Sequence, residues 1–152
     1  MKIQIENSQT KVKIDRRRVR FIVNIISKIL GCEDKEISIS FVCDETIRRL
    51  NWEYLGRDKT TNVLSFSLQE GDYSNINPDV LGDVIISADT AQRDAVKGNL
   101  TVEQELVFLI IHGMLHLLGY NHENTTRKET NRMRRKEKEL FRKIYFSNNS
   151  FI

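Results

Sequence analysis

Only two cysteines, Cys32 and Cys43, occur in the 152 residues, with ten residues between them and apolar stretches beside each. So sparse a set excludes a disulfide framework and suits reduced thiols packed in a core. Neither has a metal-ligand partner nearby in sequence, so neither reads as a ligand or as a catalytic nucleophile. Long hydrophobic runs are missing too: the longest, such as Val107 to Ile111, are far too short to span a bilayer. The alternating stretch from Met1 to Glu6 holds neither the apolar segment nor the small-residue cleavage site of a signal peptide, so a cytoplasmic protein with no membrane partner is expected. Charge of one sign is also scarce, since 24 basic against 21 acidic residues leave a net charge of only +3. That excess is too mild to diagnose nucleic-acid binding. Repeats, low-complexity tracts and linkers are absent, so residues 1–152 read as one domain.

What is present suits a soluble globular fold, with 39% hydrophobic and 30% charged residues. Two basic clusters stand out, one of Lys11, Lys13, Arg16, Arg17, Arg18 and Arg20, the other between Arg127 and Lys138. Both read first as solvated helix faces, the second with Glu129, Glu137 and Glu139 as neutralising partners at helical spacing.

The pattern predicts strands over Lys2–Glu6, Ile37–Cys43, Asn62–Leu68 and Val80–Ser87, the last two as neighbours. Helices are expected from an Asp15 cap to Leu30, from an Asp44 cap to Gly56, over Ala88–Val96, from a Thr101/Gln104 capping box to Leu118, and over Thr126–Tyr145. Residues 147–150 should fray. Such alternation followed by helices implies an α/β (α+β type) fold, a sheet of about four strands covered by helices.

All three histidines fall within one stretch, His112-Gly113-Met114-Leu115-His116-Leu117-Leu118-Gly119-Tyr120-Asn121-His122. Residues four apart share a helix face, so His112 and His116 can aim two imidazoles at one point. Gly119 allows the left-handed turn that would bring His122 to the same point. Three protein ligands leave a fourth position for water, the arrangement of catalytic zinc; nickel, copper or iron also accept imidazoles.

The spacing H-x-x-x-H-x-x-G-x-x-H is shared with metzincin proteases, which carry a glutamate general base directly after the first histidine. Gly113 stands there instead, so a metallopeptidase becomes the second choice. A metal that lowers the pKa of its water from ~15.7 to about 7 suits phosphodiester hydrolysis without a protein base. An arginine opposite the metal would complete such a site.

The histidine stretch resembles the signature of the YbeY family of bacterial endoribonucleases, H-G-x-L-H-L-x-G-Y-D-H. Two further blocks carry the resemblance: Leu50 to Tyr54 with Asp58 to Phe66, and Leu81 to Ser87. It implies a small mixed sheet and a metal-dependent, single-strand-specific endoribonuclease acting in 16S rRNA 3′-end maturation and ribosome quality control. One Zn2+ per chain on His112, His116 and His122 is expected, with His112 also in the catalytic set. Single-stranded RNA, rRNA and the ribosome are the implied partners, and DNA is not. A non-catalytic ribosome-binding factor is a further alternative.

Three departures from the family pattern matter. Leu55 stands where the family's Y-R-G-x-D has its arginine, and Arg57, two residues on, is the candidate substitute. Asn121 replaces an aspartate before the last ligand, and Thr60 replaces a proline. Asp83 reads as structural. Trp52, Tyr54, Phe66 and Tyr120 are candidate stacking platforms for unpaired bases, although core positions are expected for most of them.

Overall fold

The computed structural model of the chain describes residues 1–68, 78–120 and 126–146. Alternation of isoleucine with polar residues makes β1 (Lys2–Asn7) a strand with one buried face, Ile3 and Ile5. As predicted, the Asp15 carboxylate accepts the Arg18 N–H at 3.1 Å and opens α1 (Arg16–Leu30), whose Val19, Ile22, Val23 and Ile26 turn inward. β2 (Glu36–Val42) follows, with Ile37, Ile39 and Phe41 on its buried face.

The second helix corrects one expectation. Its cap is Cys43, and Asp44 is the first residue of α2 (Asp44–Leu55). The carboxylate is taken elsewhere: Ser87 Oγ and Thr90 Oγ1 each donate to one oxygen at 2.6 Å, and Arg93 lies 2.7 Å from the other. These bonds tie α2 to the junction of β4 (Val80–Ser87) and α3 (Ala88–Lys97).

Burial pushes the Asp44 carboxyl up, but the hydrogen bonds from Ser87, Thr90 and Arg93 outweigh it and hold the pKa below the usual value. A depressed folded pKa gives stability that is complete above the ordinary carboxylate range and is lost as pH falls through the folded value. Asp44→Asn should therefore unfold at lower urea than the parent at neutral pH, with the gap closing as the pH falls below the ordinary carboxylate range. A gap that keeps its size across that range would refute this account.

β3 (Val63–Ser67) is shorter than its sequence pattern and pairs antiparallel with β4, as expected for neighbours. The strand order is β1-β2-β4-β3, with β2 parallel to both β1 and β4. This is a mixed sheet with β3 at one edge. On one face, Ile37, Ile39, Phe41, Val84 and Ile86 join a core shared with α1, α4 (Val102–Leu117) and α5 (Arg127–Tyr145). On the other, α2 lays Ile47 and Leu50 over Leu64, Phe66 and Ile85.

α4 is the central helix, apolar on nearly all sides because neighbours cover it all round. Its predicted capping box is present in both directions: Gln104 N–H donates to Thr101 Oγ1 at 3.1 Å, and Thr101 N–H to Gln104 Oε1 at 2.9 Å. Cys32 is buried, Cys43 is half-buried with its sulfur 3.3 Å from Thr46 Oγ1, and both are free thiols. Among the described residues, no single helix is long and apolar enough to cross a membrane.

Candidate active site

His112 and His116 stand one turn apart near the C-terminal end of α4, as their spacing requires. Their ring centroids are 4.7 Å apart, the rings are inclined at 71°, and the two Nε2 atoms approach to 3.2 Å. Two nitrogens bound to one tetrahedral zinc at about 2.0–2.1 Å stand roughly 3.3 Å from each other. The pair therefore has the separation and donor chemistry of two ligands to one ion. Among the described residues no three His, Cys, Asp or Glu side chains gather into a ligand set. The third predicted ligand, His122, and its neighbour Asn121 lie outside the described residues, as does the predicted fraying tail.

At the end of α4, Gly119 adopts φ 93°, and the Gly119 and Tyr120 N–H groups close the helix on the carbonyls of His116 and Leu115, each at 3.0 Å. Tyr120 then lies under Arg132 of α5, whose guanidinium carbon is 4.5 Å from the ring centre.

The other imidazole nitrogen reveals a residue that the sequence reading misplaced. His112 Nδ1 is 3.2 Å from Glu137 Oε2, and Glu137 is only 6% exposed. Glu137 was expected to neutralise the basic face of α5. Instead it sits on the helix's buried stripe, between Met133 and Leu140, while Glu139 answers Lys136 at 3.4 Å and Lys143 at 3.3 Å. The signal was available: Met133, Glu137, Leu140 and Ile144 fall at core spacing, and a carboxylate in that series needs a buried partner.

Gly113 acquires a second meaning. A Cβ there would stand 2.6 Å from Val84 Cγ1 and 3.2 Å from Ser65 Oγ, so this position faces the sheet, where α4 packs against β4 and β3. A glutamate base has no room at this point of the helix. What the sequence showed as a missing catalytic group is a packing requirement of this fold.

The histidine pair opens into a cleft of about 430 Å3. One wall is α4 and another is the edge strand β3; the third is the end of α2 with the connection that follows it. Leu55, Arg57 and Lys59 all line this space, so the structure brings Arg57 to the histidines even though Leu55 occupies the position next to the tyrosine. Asn51, 2% exposed, holds the connection in place: its side-chain Nδ2 donates to the Lys59 carbonyl at 3.0 Å, and its backbone carbonyl accepts the Arg57 N–H at 3.3 Å. Asp58 is drawn to the outer side by Arg48 at 2.8 Å. The described lining thus holds two cations, amides and hydroxyls, and no Asp or Glu.

Asp83 lies in mid-strand outside this lining, which agrees with a structural role. Trp52 and Tyr54 are 59% and 66% exposed, contrary to the core placement expected for most of the aromatics. The reason is that α2 buries only its Ile47 and Leu50 side. Tyr54 meets Phe66 at 5.3 Å between centroids, beside the lip of the cleft formed by Leu55.

A family model described as Endoribonuclease YbeY matches residues 4–145. The chain is 57% identical over 141 residues to the Endoribonuclease YbeY of Syntrophus aciditrophicus, covering 93% of this chain and 88% of the relative. It is 48% identical over 141 residues to that of Geobacter sulfurreducens, covering 93% and 94%. Among solved structures, the solution structure of TM1509 from Thermotoga maritima superposes with a TM-score of 0.67 at 26% identity, over 97% of this chain and 98% of that one.

Proposed function

Because the chain belongs to the YbeY family of endoribonucleases, and so is a hydrolase that cuts within RNA, we propose that it does so as a one-zinc enzyme on single-stranded RNA. The single observation that carries this reading is the cleft: two converging imidazoles face Arg57 and Lys59 across a lining that, among the described residues, holds no carboxylate. A space lined by two cations attracts a phosphodiester. His112 and His116 would hold the zinc together with His122. When bound, the zinc supplies an acidic water and polarises a phosphoryl oxygen.

The chain's own residues do the rest. Arg57 presents a planar fork that can take two phosphate oxygens and offset the charge that builds up as the new P–O bond forms. Lys59, a point charge, binds an adjoining phosphate. Asn51 keeps both on the cleft by fixing the connection that bears them. An exposed aromatic ring beside the cleft favours an unpaired strand, whose bases are free to stack and which can place one phosphate at the histidines. Its bases then have the exposed ring of Tyr54, beside the Leu55 lip of the cleft, to stack on. Substrates of this kind are found at the unpaired 3′ end of 16S rRNA, so the ribosome is the proposed partner and the cytoplasm the proposed location.

Incubating the zinc-loaded chain with a single-stranded RNA, its duplex and casein separates the alternatives. Cleavage of the single strand alone is expected. Cleavage of casein would support a peptidase, and no cleavage at all a binding factor. Arg57→Ala should lower RNA cleavage by about 10^2 to 10^3-fold with zinc content unchanged. Undiminished cleavage by this variant would remove Arg57 from the reaction.

A further inference from the structure

Burying a carboxylate is costly unless it is paired, and Glu137 is buried on the apolar stripe of a helix that has ample solvent-facing positions for acidic residues. An apolar residue in its place would extend the series Met133, Leu140, Ile144 without interruption. What the carboxylate touches is His112 Nδ1, at 3.2 Å, from a position 25 residues away in sequence. The imidazole so gripped is the one whose Nε2 stands 3.2 Å from Nε2 of His116.

From this arrangement we infer that Glu137 is a positioning residue: by accepting the Nδ1–H of His112 it fixes that ring's tautomer and rotation, and presents the Nε2 lone pair toward the point where His116 also aims. A carboxylate acceptor on the far nitrogen of a metal-ligating histidine orients the ring and makes the ligand more basic. α5 is therefore part of the metal site as well as a cover for α4. Tyr120 and Arg132 hold α5 to the end of α4 beside the same site, which keeps Glu137 within reach of the ring. The inference rests on the metal-binding reading of the histidine pair.

The test compares Glu137→Met, which keeps length and removes the acceptor, with Glu137→Gln, which keeps an acceptor oxygen and removes the charge. Zinc affinity is measured by chelator competition, melting is measured on the metal-free proteins, and the His112 tautomer is read from nitrogen chemical shifts of the metal-free parent. Glu137→Met should weaken zinc binding by about ten- to a hundredfold, and Glu137→Gln should recover most of that loss. The metal-free melting temperatures should not follow this order. His112 in the parent should carry its proton on Nδ1.

Zinc binding by Glu137→Met within about twofold of the parent would overturn the assignment. So would equal losses in both variants that track lower metal-free melting, because that pattern marks a packing role alone. A proton on Nε2 of His112 in the parent overturns it without recourse to either variant. If the parent itself takes up no zinc, the metal reading falls and this role falls with it. Zinc bound equally well by parent and variants removes only Glu137.

Discussion

His116→Ala is expected to abolish RNA cleavage, lowering the rate by at least about 10^3-fold, and to leave the purified protein without stoichiometric zinc. The magnitude follows from what a metal contributes, several kcal/mol of transition-state stabilisation, and from the conversion of about 1.4 kcal/mol per tenfold in rate. Removing one of the two convergent imidazoles leaves His112, held from behind by Glu137, without the Nε2 donor that stands 3.2 Å from its own, so the paired separation that fits one ion is lost. The fold should survive, because alanine is the best helix former and His116 sits at the cleft rather than in the core. Elemental analysis, cleavage of a single-stranded RNA and circular dichroism on the same preparation make the measurement. A folded, zinc-free variant that still cleaves at more than about a tenth of the parent rate would sink the metal mechanism. It would also point to Arg57 and Lys59 as sufficient.

Gly82→Ala is expected to be strongly destabilising, costing at least about 3 kcal/mol. Gly82 lies in β4 with φ 141°, paired with Ser67 of the edge strand and Ile37 of β2. A Cβ there would fall on the Phe66 carbonyl oxygen and stand 3.1 Å from Leu117 Cδ2. The first is strand backbone and cannot yield, whereas Leu117 Cδ2 is a side-chain methyl that need shift only slightly, so the clash with the Phe66 carbonyl decides the cost. Gly31→Ala is the control: its φ of 71° is also left-handed, but nothing lies within 4 Å of the added carbon, so the cost should be only about 1–2 kcal/mol. Denaturant titration of the two variants decides the matter, and equal losses would refute the steric account. Because β3 forms a wall of the cleft, Gly82→Ala should also reduce RNA cleavage in whatever fraction remains folded.

These two predictions depend on different kinds of information. The spacing of His112 and His116 was legible because an α-helix repeats every 3.6 residues, which places positions four apart on one face whatever surrounds them. The Asp15 cap, the Thr101/Gln104 box and the limits of β4 were legible for the same reason: each is settled by neighbours within a few residues. Asp44 failed as a cap because Ser87, Thr90 and Arg93, more than 40 residues away, compete for its carboxylate. Glu137 was misread because local spacing offered basic partners on its own helix, whereas its actual partner lies on α4.

By itself, then, the sequence determined the elements, the convergence of two imidazoles on one helix face and the membership of the chain in its family, all matters of short-range pattern. Tertiary structure alone decided that β3 occupies the edge beside α4 and that the connection after α2 carries Arg57 and Lys59 onto the same cleft. It also decided that Gly113 marks a close helix–sheet crossing and that a buried carboxylate stands behind the first histidine. The physical reason is the same in each case: charge and exclusion act through space, and their strength depends on burial that no local window of sequence contains.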